Sequence, residues 1–216
     1  MMKKNKFILL GLFLFLFVFP AMAQISLSAF SGLNFEKLTG DAPTNGYYGN
    51  KTGLNAGIMV DISLSKTLKL SVQPSFSQEG TKILYQPKQF STPVDSIQIR
   101  LNYVSLPLII KVKSTSKHFY AIGGLETGWL LNYKLTSHGD VLANQLSVSN
   151  FNLTAHFGAG YRIFIGFPVL FIELRYSQGL INLTNEPITN SYIPRVKTTG
   201  FKALIGIELP LSKSIN

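Results

Sequence analysis

The residue types that carry most enzymatic chemistry are sparse in this 216-residue chain. It has no cysteine and three histidines, His118, His138 and His156. The lack of cysteine excludes disulfides and thiolate metal sites. The isolated histidines show no spacing typical of metal ligands. We therefore expect no metal site and no cofactor.

One nucleophile–base pair can be constructed from the sequence. His156 and Ser177 lie on different predicted strands, and the alternation points both side chains inward. A histidine that takes the proton of a serine hydroxyl is the chemistry of acyl transfer. Serine and histidine are common, however, and no G-x-S-x-G, phosphate-loop or dinucleotide motif is present. A hydrogen-bonded interior pair is the favoured interpretation, so we predict no catalytic residues; a lipid-modifying enzyme is the alternative.

Charged residues on the same inward alternation form a larger group, although only 14% of all residues are charged. The residues predicted to face inward are Asp61, Lys69, Arg100, Glu126, Arg162, Glu173, Arg175, Lys202 and Glu208. Both signs fall on neighbouring strands, so ion pairs across the interior offset the cost of removing these charges from water. We interpret the group as a structural plug, with a narrow proton or ion path as the alternative.

Alternation of apolar and polar residues positions these side chains, because successive residues of a strand point to opposite faces. The pattern predicts an all-β fold with eight antiparallel strands. These cover residues 25–35, 54–64, 68–76, 97–112, 119–133, 151–163, 170–180 and 201–209. Pro74 predicts a local distortion in the third strand. A change of apolar parity at residues 103–105 predicts a β-bulge beside Pro107.

The predicted connections alternate strictly between long and short. The long ones cover residues 39–51, 80–96, 135–150 and 184–196, and the short ones 65–67, 114–117 and 164–168. Long loops at one end and tight turns at the other are typical of an outer-membrane barrel. The sequence therefore predicts an up-and-down transmembrane β-barrel. A soluble periplasmic lipocalin-like barrel or a sandwich is the alternative.

Residues 1–23 have the pattern of a cleavable export signal. Three lysines precede an uncharged apolar run over residues 7–19, and Ala-Met-Ala at 21–23 has the small-x-small form of a cleavage site. The run is shorter than the roughly 20 residues of a spanning helix. We expect cleavage after Ala23 and a mature chain, residues 24–216, that is a single barrel domain in the cell outer membrane. Without cysteine it is not a lipoprotein.

Three segments resemble motifs of the PorT-like family of bacterial outer-membrane β-barrels. They are LNYVSLPLIIKVK (101–113), FYAIGGLETGWLLNYK (119–134) and ELRYSQGLINL (173–183), in this order. The chain departs from the family pattern at Val104 and Ser105, where an acidic residue is common. The resemblance implies an eight-stranded barrel in the outer membrane of a Gram-negative bacterium. The family's namesake is tied to protein secretion and gliding, but most members have no assigned activity.

The basic character of the chain bears on its partners. The formal net charge is +10, but the cations are scattered and no nucleic-acid motif accompanies them. We expect contact with outer-membrane lipid and lipopolysaccharide, and no nucleic-acid partner. The predicted function is that of a non-enzymatic structural or partner-binding barrel, linked to secretion or the envelope. A protein partner would bind through the four long loops.

Overall fold

The computed structural model describes residues 24–86, 95–137, 140–141, 148–184 and 195–211. Within them the regular secondary structure consists only of β-strands. Their bounds are β1 (Ile25–Gly40), β2 (Gly46–Ser63), β3 (Leu68–Val72), β4 (Ser75–Tyr85), β5 (Asp95–Lys113), β6 (Phe119–Ser137), β7 (Asp140–Val141), β8 (Phe151–Phe164), β9 (Val169–Gly179) and β10 (Val196–Pro210). No helix among the described residues is long and apolar enough to cross a membrane. The predicted export signal lies outside the described residues.

The strands close into a barrel because the first and the last one pair. The β1–β10 ladder runs from Ser26 opposite Pro210 to Gly40 opposite Val196. The other antiparallel neighbours follow chain order around the ring. β3 and β4 share one position between β2 and β5, and β7 only extends the edge of β6. The described ring therefore has eight strand positions, which confirms the predicted eight-stranded up-and-down architecture.

The predicted distortion at Pro74 is confirmed, because this residue lies in the gap between β3 and β4. The register is the same on both sides of the gap: Val72 lies opposite Leu108, and Ser75 lies opposite Ser105. A proline nitrogen has no hydrogen to donate to the ladder. The ladder is therefore interrupted without an inserted residue.

The two ends of the barrel differ in their connections. The described segments 64–67, 114–118 and 165–168 join strands at one end, which we call the turn side. The described chain ends, Gln24 and Leu211, lie at the same end. The opposite end, which we call the loop side, carries the connections predicted to be long.

The predicted loop 39–51 is wrong over most of its length. β1 continues to Gly40 and β2 starts at Gly46, so only a five-residue turn joins them. Asn45 has a φ of 58°, a left-handed conformation that asparagine tolerates in tight turns. The strands were missed here because their residues in this region are largely polar or glycine, without the apolar alternation seen further along each strand.

The other three loop predictions also include strand residues at their ends. β4 continues to Tyr85, β5 begins at Asp95, β6 continues to Ser137 and β10 begins at Val196. Within these three loops, residues 87–94, 138–139, 142–147 and 185–194 lie outside the described residues.

Over its turn-side part the barrel is polar inside and apolar outside. The exposed apolar side chains form a belt that we call the outer belt. It includes Leu33, Phe35, Leu54, Ile58, Phe76, Val104, Leu108, Ile110, Leu125, Trp129, Phe157, Ile172, Leu174, Tyr176, Phe201, Ile205 and Ile207. This is the reverse of the distribution in a soluble barrel.

Toward the loop side the distribution inverts. A buried apolar cluster fills the barrel there: Leu38, Ile99, Leu101, Tyr103, Leu135, Leu183 and Val196. The neighbouring outward residue Arg100 of β5 is exposed. β5 therefore keeps one parity along its whole length, while its surroundings change from a belt of apolar surface to water. The predicted bulge in β5 at 103–105 is wrong.

The irregularity lies on the facing strand instead. Asn102 is opposite Asn132, but Tyr103 is opposite Leu130, so Leu131 is an extra residue in β6. Such a bulge shifts the parity of the strand that contains it. Glu126 of β6 points inward before the bulge, and the inward positions after it are odd-numbered.

Candidate functional site in the barrel lumen

The lumen holds most of the acidic residues of the chain. Six of the ten aspartate and glutamate residues lie inside with five cations. The acidic residues are Glu36, Asp61, Glu79, Glu126, Glu173 and Glu208, and the cations are Lys69, Lys111, Arg162, Arg175 and Lys202. Near-equal numbers of both signs let each charge be compensated within the lumen.

Eight of the nine inward charges predicted from the sequence are confirmed. The exception is Arg100, which lies on the outer face because β5 does not switch parity. The prediction missed Glu36, Glu79 and Lys111. Glu36 and Glu79 would have been found by extending the inward alternation past the ends of the predicted strands 25–35 and 68–76, whereas Lys111 lies within the predicted strand 97–112, between the outward-facing Ile110 and Val112.

At the turn side, Glu208 connects two cations. Its Oε1 lies 2.9 Å from Lys69 Nζ and its Oε2 lies 2.9 Å from Arg162 Nη2. Lys69 also lies 3.6 Å from Asp61, whose other partner is Lys111 at 3.1 Å. Five charges thus form one continuous chain of ion pairs.

The middle of the lumen is organised around Arg175. Its Nη2 donates to Gln73 Oε1 at 2.7 Å, and its Nε pairs with Glu173. Tyr120 donates its hydroxyl hydrogen to Glu173 at 2.8 Å. Arg175 and Glu173 are each 1% exposed, so their pairing offsets the cost of full desolvation. Leu174, between them in sequence, lies on the outer belt.

Further toward the loop side, Lys202 is surrounded by three carboxylates. Its Nζ lies 3.8 Å from Glu36, 3.3 Å from Glu79 and 3.2 Å from Glu126. Lys202 is completely buried. It is therefore the main cation that compensates the acidic cluster.

The structure brings His156 and Ser177 together. They are directly opposite on β8 and β9, and Ser177 Oγ lies 3.0 Å from His156 Nδ1. His156 Nε2 lies 2.8 Å from Glu126 Oε2. Serine, histidine and carboxylate in this order have the connectivity of a catalytic triad, in which histidine takes the serine proton and the carboxylate orients the ring.

All three side chains of this series are buried. His156, Ser177 and Glu126 are at most 3% exposed. A pocket among the described residues lies near the turn side and is lined by other residues, including Lys113, Arg162 and Glu208. An acyl transfer requires a substrate carbonyl next to the serine oxygen. In the structure the three side chains satisfy one another's polar groups away from solvent.

The apolar cluster closes the lumen on the loop side of these charges. Leu101 and Tyr103 of β5 are at most 1% exposed and pack with Leu38, Leu135 and Val196 from three other strands. Among the described residues no His, Asp and Glu side chains form a group of three that could hold a metal ion. His118 lies at a turn-side connection, and His138 lies outside the described residues.

Comparison with known proteins concerns the whole barrel. The family described as "Outer membrane protein beta-barrel domain" has a model that matches residues 21–185, more than half of the chain. Similar solved structures include Neisserial surface protein A (12% identity, TM-score 0.48, covering 87% of this chain and 97% of that one). Another is Ail, the attachment invasion locus protein of Yersinia pestis (16% identity, TM-score 0.44, 87% and 100%). No curated protein matches the chain in sequence.

Proposed function

The chain belongs to the family of outer membrane protein beta-barrel domains, and we propose that it acts there as a non-enzymatic barrel that binds a partner at its loop side. Its location is the outer membrane, and the outer belt is the surface that faces lipid. The soluble lipocalin-like alternative is therefore wrong. The loop side corresponds to the cell exterior, because outer-membrane barrels have short periplasmic turns.

The observation that carries this proposal is the inverted packing at the loop side. β5 continues for nine residues past Val104, the last of its belt residues, to Asp95. At about 3.4 Å per residue this is roughly 30 Å of strand, measured along its length, beyond the hydrocarbon of the membrane. The apolar cluster inside makes this extension a folded platform. A rigid platform lowers the entropy that loops lose on binding a partner.

The filled lumen argues against the competing functions. Ion-paired charges occupy it along the turn-side and middle parts, and the apolar cluster follows. A solute pore needs a wider, water-filled interior. An enzyme needs an accessible nucleophile, and Ser177 is buried.

Photo-crosslinking in intact cells tests the partner proposal. A crosslinking amino acid at Tyr47, exposed on the loop side, is expected to capture an envelope or extracellular macromolecule. The same amino acid at Ser116, at the turn side, is the matched control and should not capture that species. Replacement of residues 41–45, 87–94, 142–147 or 185–194 by short Gly-Ser turns should identify the loop involved. If no replacement reduces the crosslink, the proposal is wrong.

A lipid-modifying enzyme is the second candidate, and one observation favours it: the hydrogen-bonded series from Ser177 through His156 to Glu126. We expect Ser177→Ala to leave the lipid A profile of the cells unchanged, as measured by mass spectrometry. A missing lipid A species in this variant, with heat-modifiable gel mobility retained, would support catalysis instead.

We also propose two finer assignments. The three motifs support membership of the PorT-like group, with a role in protein secretion. The N-terminal pattern supports cleavage after Ala23, which N-terminal sequencing of the purified protein should confirm by giving Gln24 as the first residue.

A further inference from the structure

Four cations lie together on the outer surface at the loop side. Lys51, Lys82, Arg100 and Lys134 lie on the adjacent strands β2, β4, β5 and β6. We call them the basic patch. They are distinct from the charges of the lumen, and the partner proposal does not use them.

The register of the strands makes this patch contiguous. Arg100 is directly opposite Lys134, and Lys82 is directly opposite Gln98. The Lys51 side chain extends from β2 across β4 to β5, where its Nζ donates to Gln98 Oε1 at 2.8 Å. Lys51 also interacts electrostatically with both Arg100 and Lys82.

The patch has an unfavourable arrangement within the protein itself. Like charges directly opposite each other on neighbouring strands destabilise a sheet. In the described part of the chain no carboxylate forms an ion pair with these four cations, since the ion-paired carboxylates lie in the lumen and pair with lumen cations. An external anion shared by Arg100 and Lys134 would relieve the repulsion.

The distance of the basic patch from the membrane hydrocarbon indicates which kind of anion would bind there. Arg100 is four residues past Val104, the last apolar residue of β5 in the outer belt. This is about 13 Å along a tilted strand, or roughly 10 Å above the hydrocarbon. Long basic side chains also reach back toward the membrane surface. The patch therefore lies at the level of lipid head groups on the cell-exterior side, where the lipid is lipopolysaccharide.

We propose that the basic patch binds the phosphates of one lipid A molecule, whose acyl chains pack on the outer belt at Val104 and Trp129. Arg100 contributes a planar guanidinium that binds a phosphate with two hydrogen bonds, and the lysines contribute point charges. This site does not depend on which partner the loops bind.

Trp129 provides a direct readout, because it is the sole tryptophan of the chain and is 48% exposed on the belt next to the patch. The full chain is purified from the outer membrane in detergent, stripped of bound lipid by detergent exchange, and titrated with bisphosphorylated lipid A. The change in tryptophan emission gives the affinity. Dephosphorylated lipid A and phosphatidylglycerol are titrated in parallel, to separate lipid A phosphates from other anionic lipids.

The double variant Arg100→Gln/Lys134→Gln is expected to bind lipid A at least about tenfold more weakly, because each lost charge-assisted hydrogen bond weakens binding by about that factor. Lys37→Gln/Lys197→Gln removes the same charge from the outer faces of β1 and β10 and should change the affinity less than about twofold. The charge-conserving Arg100→Lys/Lys134→Arg variant should retain binding. Heat-modifiable gel mobility reports folding of each variant.

Three results would overturn the proposal. The first is unchanged affinity in Arg100→Gln/Lys134→Gln. The second is an equal loss in the Lys37→Gln/Lys197→Gln control, which would indicate a diffuse electrostatic effect. The third is binding of phosphatidylglycerol or dephosphorylated lipid A as tight as that of bisphosphorylated lipid A. Any of these three results would leave the loop-side partner proposal unaffected, since crosslinking at Tyr47 is measured separately.

Discussion

At the residue scale, Lys202 determines the charge balance of the loop-side lumen. Its ammonium group lies within 3.8 Å of Glu36, Glu79 and Glu126, and it is completely buried. Lys202→Met keeps most of the side-chain volume but leaves the carboxylates uncompensated. We expect the free energy of unfolding to fall by about 3–5 kcal/mol, as measured by urea unfolding in lipid vesicles.

The same measurement contains its own control. Lys197→Met, on the outer face of the same strand, should lower the free energy of unfolding by less than about 1 kcal/mol, because this half-buried lysine does not compensate the carboxylates of the lumen. Adding Glu79→Gln to Lys202→Met should restore part of the stability, since it removes one of the uncompensated charges. If Lys202→Met unfolds at the wild-type urea concentration, the charge balance does not depend on this residue.

At the scale of the strand, the apolar side chains of β5 face the interior in its loop-side half and the lipid in its turn-side half. Leu101 faces the apolar cluster inside the barrel, whereas Leu108 faces outward on the belt. Leu101→Ala is expected to lower the free energy of unfolding by about 2–5 kcal/mol, because it leaves a cavity in a packed core.

The matched control is Leu108→Ala, which removes the same atoms at a lipid-facing position. Lipid tails fill the space that the shorter side chain leaves, so no cavity remains and the loss should be smaller. Urea unfolding in the same vesicles compares the two variants. Equal losses would contradict the assignment of a packed apolar core above the membrane.

The strand β5 also shows how far sequence alone could predict this molecule. Alternation correctly predicted the strands of the belt and eight of the inward charges, because a membrane barrel exposes apolar side chains on one face only. It misplaced Arg100, because residues 97–103 alternate with the same two-residue period but have their apolar residues at odd positions. The belt residues of β5 are at even positions. Parity cannot distinguish an irregular strand from a regular strand that passes from lipid into water.

The candidate site was predictable only in part, for a related reason. The sequence indicated that His156 and Ser177 face inward, and the register places them directly opposite. The third member, Glu126, lies on β6, and its contact with His156 depends on how neighbouring strands are staggered. Stagger is set by turn lengths and bulges, such as the extra Leu131, which leave no periodic signal.

At the scale of the whole molecule, the filled lumen predicts a barrel without a channel. Purified protein in planar lipid bilayers should show no stepwise ion conductance at neutral pH. The reason is that ion-paired side chains and the apolar cluster occupy the interior. A water-filled porin in the same bilayers is the positive control. Regular conductance steps that scale with protein concentration would favour the narrow ion path.

The orientation of the whole barrel can be tested because the chain has no cysteine. Thr44→Cys places a thiol in the exposed loop-side turn, and Ser116→Cys places one in an exposed turn-side connection. A membrane-impermeant maleimide is expected to label Thr44→Cys in intact cells and Ser116→Cys only after the outer membrane is permeabilised. The short turns of such barrels face the periplasm, which is the physical basis of this expectation.

The result of this labelling bears on both proposals at once. Labelling of Thr44→Cys alone would place the platform and the basic patch on the cell exterior, where a partner and lipid A are available. The reverse pattern would place Lys51, Lys82, Arg100 and Lys134 at the periplasmic leaflet, where lipid A is absent. In that case both the lipid A site and the loop-side partner would be wrong. The lumen charges and the free energy of unfolding would be unaffected, because they do not depend on orientation.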